Sequence, residues 1–137
     1  MADVILAIDQ GTTGTTVALM DASGRLLKSV NHEFPQIYPQ PGWVEHDPEA
    51  IWLSVLKGIR ALFKTRLAKS SQIVAIGITN QRETALLWDR DTGEALNNAV
   101  VWQCRRTTDY CQSLQKRGKE SVVKEKTGLV LDPYFSA

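Results

Sequence analysis

Asp9 follows the apolar, largely β-branched run Val4 to Ile8 and opens the segment Asp9-Gln10-Gly11-Thr12-Thr13-Gly14. A carboxylate leaving a buried strand can hold hydrated Mg²⁺, while a glycine turn with two threonines can offer N–H groups and hydroxyls to phosphate oxygens. Gly11 and Gly14 let the backbone come close to such a ligand. No Gly-x-x-x-x-Gly-Lys-Ser/Thr occurs and the turn leads into β-type residues, so this is not a Walker A loop. By composition alone, an ordinary hairpin turn accounts for Asp9 to Gly14 equally well.

A second apolar run, Ile73 to Ile78, also ends in polar residues, Thr79-Asn80-Gln81-Arg82-Glu83-Thr84. Open α/β sheets place ligands beyond the carboxyl ends of their strands, so the site is expected between these two strand tips. Without further information Arg82 and Glu83 read as a surface ion pair or two solvated charges. His32 and His46 stand in unrelated contexts and read as structural. Cys104 and Cys111, seven apart, match no zinc or redox spacing and read as free thiols.

The elements that must position these residues follow from pattern. Val4 to Ile8 is read as a strand buried on both faces. Thr15 to Met20 returns from the Gly11–Gly14 turn as its hairpin partner, and Arg25 to Glu33 forms a third, more exposed strand of a meander. Residues 34–46 carry Pro35, Pro39, Pro41 and Gly42 and read as a surface loop. Asp47-Pro48-Glu49 then supplies an N-cap, a proline at the first helical position and an acid in the first turn. Ile51, Trp52, Val55, Ile59, Leu62 and Phe63 make one helical stripe that should face the sheet. A crossover leads to Ile73–Ile78 as a central parallel strand. Ala85 to Trp88 and the Asp91-Thr92-Gly93 turn read as a hairpin, and Asn98 to Trp102 as a short strand. Two helices follow: one over 107–117, closed by Gly118 with Tyr110, Cys111 and Leu114 inward, and one over 119–126 ended by Gly128. The fold class is α/β, a mixed sheet with an antiparallel meander, a parallel crossover strand and flanking helices.

With 137 residues and 43% hydrophobic content, one core is enough. Sixteen basic and 15 acidic residues are scattered along the chain, leaving no basic stripe for a nucleic acid. No apolar run approaches the roughly 20 residues that span a bilayer, and the start lacks a signal peptide's basic leader, so no membrane partner and a cytoplasmic location are expected.

Asp9-Gln10-Gly11-Thr12-Thr13 is similar to the first phosphate loop of the carbohydrate kinases of the actin-like (ribonuclease H-like) superfamily. Four further segments narrow the resemblance to the glycerol kinases of that family: residues 38–48, Tyr-Pro-Gln-Pro-Gly-Trp-Val-Glu-His-Asp-Pro; residues 77–84, Gly-Ile-Thr-Asn-Gln-Arg-Glu-Thr; residues 101–106, Val-Trp-Gln-Cys-Arg-Arg; and residues 127–136, Thr-Gly-Leu-Val-Leu-Asp-Pro-Tyr-Phe-Ser. The likeness covers essentially the whole chain. It implies an actin-like domain that, with a second related domain, closes over ATP and a polyol.

The resemblance assigns Asp9 to the Mg²⁺ complex and Gly11, Thr12, Thr13 and Gly14 to the nucleotide phosphates. It makes Arg82 and Glu83 a polyol grip, in which the carboxylate accepts from neighbouring hydroxyls and the guanidinium donates to one. Trp102 becomes an apolar wall against the substrate's carbon backbone, with core packing as the alternative. Tyr134 becomes a phenol in the hydroxyl network, with helix packing as the alternative. Relatives often carry serine at the position of Gly14 and arginine at that of Thr16, and losing that charge-assisted contact would weaken nucleotide binding by about 1.5–3 kcal/mol.

The implied activity is ATP-dependent phosphorylation of glycerol by the full-length, homo-oligomeric protein. The 137 residues are then an incomplete N-terminal domain, with the C-terminal domain, the adenine pocket and the catalytic base beyond Ala137. No catalytic residue is assigned within the chain, and the fragment alone is expected to be inactive and prone to self-association. The competing readings are a non-enzymatic actin-like nucleotide-binding module, a kinase for another polyol or sugar, and a naturally short structural or regulatory protein.

Overall fold

The computed structural model describes residues 3–135 and divides into two compact units, Met1–Pro35 with Asp47–Gln81, and Gln36–His46 with Arg82–Ala137. In the first unit, strands β1 (Val4–Gln10), β2 (Gly14–Asp21) and β3 (Leu26–Glu33) form the antiparallel meander expected from the turn signals. Residues Asp21 to Arg25 make the second turn: the Asp21 carboxylate accepts from the Ser23 and Arg25 N–H groups and from both side chains. These bonds, that from the Ser23 hydroxyl foremost, lower its pKa to about 2.

Helix α1 (Pro48–Lys64) begins where the sequence places it, with Asp47 Oδ1 accepting from the Glu49 N–H at 2.9 Å. It packs against β2 and β3. Its inward line is Ser54, Gly58 and Leu62, flanked by Val55 and Ile59, whereas Trp52, expected in the stripe, is 55% exposed. The reason is the close approach of helix to sheet. A Cβ on Gly58 would lie 2.4 Å from Val17 Cγ2, so the smallest residues take the contact line. Ser54 is buried there because its hydroxyl bonds Thr15 Oγ1 at 2.6 Å.

After a short 3₁₀ turn (Ser70–Gln72), strand β4 (Ile73–Thr79) lies parallel to β1, giving the order β3-β2-β1-β4. Two burial expectations fail. Strand β1 is buried on one face only, through Val4, Leu6 and Ile8, while Ile5 and Ala7 are half-buried. Strand β4 is an edge strand among the described residues, with Val74, Ile76 and Ile78 exposed by 61%, 60% and 71%. The core draws on one sheet face, α1 and the connection after it: Val4, Leu6, Ile8, Val17, Leu19, Leu62 and Ala68.

The segment 34–46, whose residues Gln36–His46 open the second unit, is not simply a surface loop. Glu45–His46 forms strand β5, which pairs antiparallel with β6 (Ala99–Val100), and Val44 and His46 are buried. Val44, Val101 and Cys104 make a small core with Trp43 and Val100 against it. The 85–96 hairpin closes through the bridge at Trp88–Ala95, and Ala85 bridges to Val100 of β6. Helices α2 (Thr108–Lys116) and α3 (Glu120–Thr127) follow, with Gly118 and Gly128 in the left-handed region at their ends. Cys111 and Leu114 are half-buried, but Tyr110, expected inward, is 64% exposed. Both cysteines are free thiols.

Candidate functional site

The Gly11–Gly14 turn is built by the β1–β2 ladder. Asp9 pairs with Thr16 on one side and Thr79 on the other, so backbone bonds on both flanks fix the Asp9 main chain. Its side chain is exposed, and its carboxylate makes no hydrogen bond or ion pair among the described residues. Gly11 N–H donates to Gly14 C=O at 2.9 Å and closes the turn, leaving Thr12 and Thr13 at its tip. Gly14 is buried against β3: a Cβ there would lie 2.8 Å from the His32 carbonyl oxygen and 3.0 Å from Glu33 Cα. Thr16 Oγ1 accepts from Asn31 Nδ2 at 2.9 Å, so its hydroxyl is tied to β3.

The parallel pairing of β1 and β4 sets their carboxyl ends side by side, as the two polar tips require. Gln81 N–H reaches Gln10 Oε1 at 3.4 Å. Gln81 is 7% exposed, and both polar atoms of its amide are buried without a partner among the described residues. No group of three His, Cys, Asp or Glu gathers among the described residues in a way that would hold a metal. A lone exposed carboxylate still suits Mg²⁺, which keeps several waters and takes one or two carboxylates alongside substrate phosphates.

Arg82, Glu83, Trp102 and Tyr134 all fall in the second unit. Glu83 and Tyr134 line one cavity of about 280 Å³, and Trp102 stands behind Tyr134 with ring centroids 5.5 Å apart. Phe135 extends the aromatic group, edge-on to Tyr134 at 4.9 Å. Arg82 is exposed and is not among the residues lining this cavity. Glu83 has φ +54°, a left-handed conformation that costs a non-glycine residue free energy and concentrates at functional positions.

Two arginines support the cavity. Arg105 binds Asp132 through both guanidinium nitrogens, at 2.9 and 3.4 Å, and Asp132 Oδ1 also accepts the Tyr134 N–H at 2.8 Å. The Arg105 bonds, and then the Tyr134 N–H, hold the Asp132 carboxyl below its ordinary range. Arg106 donates from Nη2 to Glu45 Oε1 at 2.6 Å and from Nε to Cys104 Sγ at 3.0 Å, and Asn98 donates to Glu45 Oε2 at 2.9 Å. Arg106 first, then Asn98, lowers the Glu45 pKa. Burial alone would raise the Cys104 thiol, but the Arg106 bond and the Val44 and Arg106 backbone N–H groups outweigh it, and the net shift is downward. Sequence reasoning missed Glu45, Arg106 and Asp132 as site supports, because their partners lie 27 to 61 residues away and no local spacing announces them.

Among the described residues no helix is long and apolar enough to cross a membrane. Residues 4–137 match the family described as FGGY carbohydrate kinases, N-terminal domain. The chain is 54% identical over all 137 residues to a glycerol kinase of Bdellovibrio bacteriovorus, and 54% identical over 132 residues, 96% of its length, to one of Halothermothrix orenii. It spans 28% and 26% of those relatives' lengths. Among solved structures, Plasmodium falciparum glycerol kinase with ADP superposes with TM-score 0.88 at 35% identity, over 99% of this chain and 27% of that one. Gluconate kinase from Lactobacillus acidophilus superposes with TM-score 0.89 at 28% identity, over 98% and 26%. These matches agree with the mixed sheet and the expected actin-like fold, and the chain belongs to the FGGY family of carbohydrate kinases, as its N-terminal domain.

Proposed function

We propose that this chain is the incomplete N-terminal domain of an ATP-dependent glycerol kinase, supplying the phosphate turn and most of the polyol grip for transfer of the γ-phosphoryl group to a glycerol hydroxyl. The observation that carries the reading is the cavity shared by Glu83 and Tyr134 and backed by Trp102. A carboxylate that accepts, a phenol that donates and accepts, and a flat apolar wall complement a small molecule with one hydroxyl face and one CH face. Arg82, the next residue before Glu83, supplies a second donor in this reading.

Asp9 would hold Mg²⁺ with its waters, and the backbone of Gly11, Thr12, Thr13 and Gly14 would meet nucleotide phosphates. Magnesium–ATP brings the transferable phosphoryl group and neutralises charge developing on its oxygens. This chain's own contribution is binding and orientation: fixing glycerol so that one hydroxyl is presented for reaction. The base that orients that hydroxyl, the adenine pocket and the C-terminal domain are assigned beyond Ala137, and the whole protein is read as a cytoplasmic homo-oligomer.

The test is a chimera in which this chain replaces the matching segment of the Bdellovibrio bacteriovorus relative. A coupled ADP assay should show glycerol-dependent turnover in the range of about 1–100 per second. Glu83→Ala should lower kcat/KM for glycerol by at least 10-fold, and the 137-residue chain alone should show negligible turnover. An inactive but folded chimera, or one that prefers gluconate or xylulose, overturns the glycerol reading. The second reading, a nucleotide-binding module without a polyol substrate, requires ATP binding that glycerol leaves unchanged.

A further inference from the structure

Arg106 lines the same cavity as Glu83 and Tyr134, and its guanidinium is fixed on three sides. Nε donates to Cys104 Sγ, Nη2 donates to Glu45 Oε1, and Cζ lies 3.9 Å from the centroid of the Trp43 ring. Glu45 is held in turn by Asn98, so the clamp does not depend on Arg106 alone. A guanidinium carries five N–H donors, and those two bonds use only two. Nη1 makes no hydrogen bond among the described residues. The side chain is only 21% exposed, so water has limited access to the remaining donors.

We propose that Arg106 is a specificity-determining residue of this cavity, donating N–H from its outer guanidinium edge to a ligand hydroxyl oxygen while the Glu83 carboxylate accepts a ligand O–H. The inference rests on the polyol reading and deepens it. A hydroxyl group both donates and accepts, so a cavity with a fixed cation and a carboxylate in its lining favours a ligand bearing several hydroxyls over one bearing fewer. Because Cys104, Glu45 and Trp43 already hold the guanidinium, little ordering remains to be done when a ligand arrives.

The test is an NMR titration of the 137-residue chain with glycerol and with propane-1,2-diol, which lacks one hydroxyl. The parent chain should bind glycerol more tightly. Arg106→Met should weaken glycerol binding by about 10- to 100-fold and narrow the gap between the two ligands. A loss equal for both ligands marks a structural role and overturns the proposal, as does unchanged binding by a folded Arg106→Met chain. If Arg106→Met does not fold, Arg106→Lys keeps the charge and stem but not the planar fork. A narrowed gap in that variant supports the proposal, and an unchanged gap overturns it. No glycerol response from the parent chain, with an active chimera, overturns this inference alone. No response together with an inactive chimera overturns the polyol reading as well.

Discussion

In the sheet unit, Asp9 is placed by backbone: β2 holds it through Thr16 and β4 through Thr79, and the strand beneath it anchors Val4, Leu6 and Ile8 in the core. In the second unit, Glu83 and Tyr134 stand outside regular elements, and side chains hold their surroundings: Arg105 on Asp132, and Arg106 on Glu45, Cys104 and Trp43. The Gly11–Gly14 turn should therefore tolerate polar substitutions nearby yet respond strongly to changes in core packing or strand spacing. The cavity should behave in the opposite way, losing order when one charged partner is removed, at little cost to overall stability.

The largest expected effect is in the sheet unit. Leu62 is fully buried where α1 meets the sheet, and Leu62→Ala should destabilise the chain by about 2–5 kcal/mol, read by urea unfolding and by faster exchange of the β1 and β2 amides. A loss below about 1 kcal/mol would mean that α1 does not hold the ladder in place. Gly14→Ser comes next. Its new Cβ would meet backbone atoms of His32 and Glu33, which cannot rotate away as a side chain could, so β3 must shift. The expected cost is about 1–3 kcal/mol by the same unfolding measurement. A Gly14→Ser chain as stable as its parent would mean that backbone spacing does not set this turn.

The same distinction explains what was legible in the sequence. The meander, the Asp47 cap, the start of α1 and both glycine-ended helices follow from local signals, since turns, caps and periodicity act within a few residues. Burial was less legible. Trp52 fits the α1 stripe by spacing, but Gly58 brings the helix so close to Val17 that the contact line belongs to small residues. The run Ile73–Thr79 reads as a buried central strand from its composition, yet composition cannot say how many neighbours a strand has, and here it lies at the edge of the described sheet. The Glu45–His46 strand was hidden by the prolines before it and by a pairing partner more than 50 residues later. In the candidate site, Glu83, Trp102 and Tyr134 were reached through family resemblance, and the cavity brings Glu83 and Tyr134 together without Arg82.

The smallest effect on stability should come from Asp132, whose hold on Tyr134 depends on pH. The Arg105–Asp132 pair is substantially exposed, with side chains 48% and 37% accessible, so Asp132→Ala should cost only about 0.2–1 kcal/mol, less at high salt. Its local effect should be larger, because the same carboxylate accepts the Tyr134 N–H. Asp132 has a lowered pKa in the folded chain, so its contribution is complete above the ordinary aspartate pKa of about 3.9 and is lost as pH falls below that toward the lowered value. Exchange of the Tyr134 amide, corrected for its intrinsic pH dependence, should therefore lose protection as pH falls below about 4 in the parent chain. In Asp132→Ala that protection should already be missing at neutral pH and show no acid step. An acid step surviving in the variant would place the control of Tyr134 in another group, and the cavity would then owe its order to something other than the Arg105 clamp.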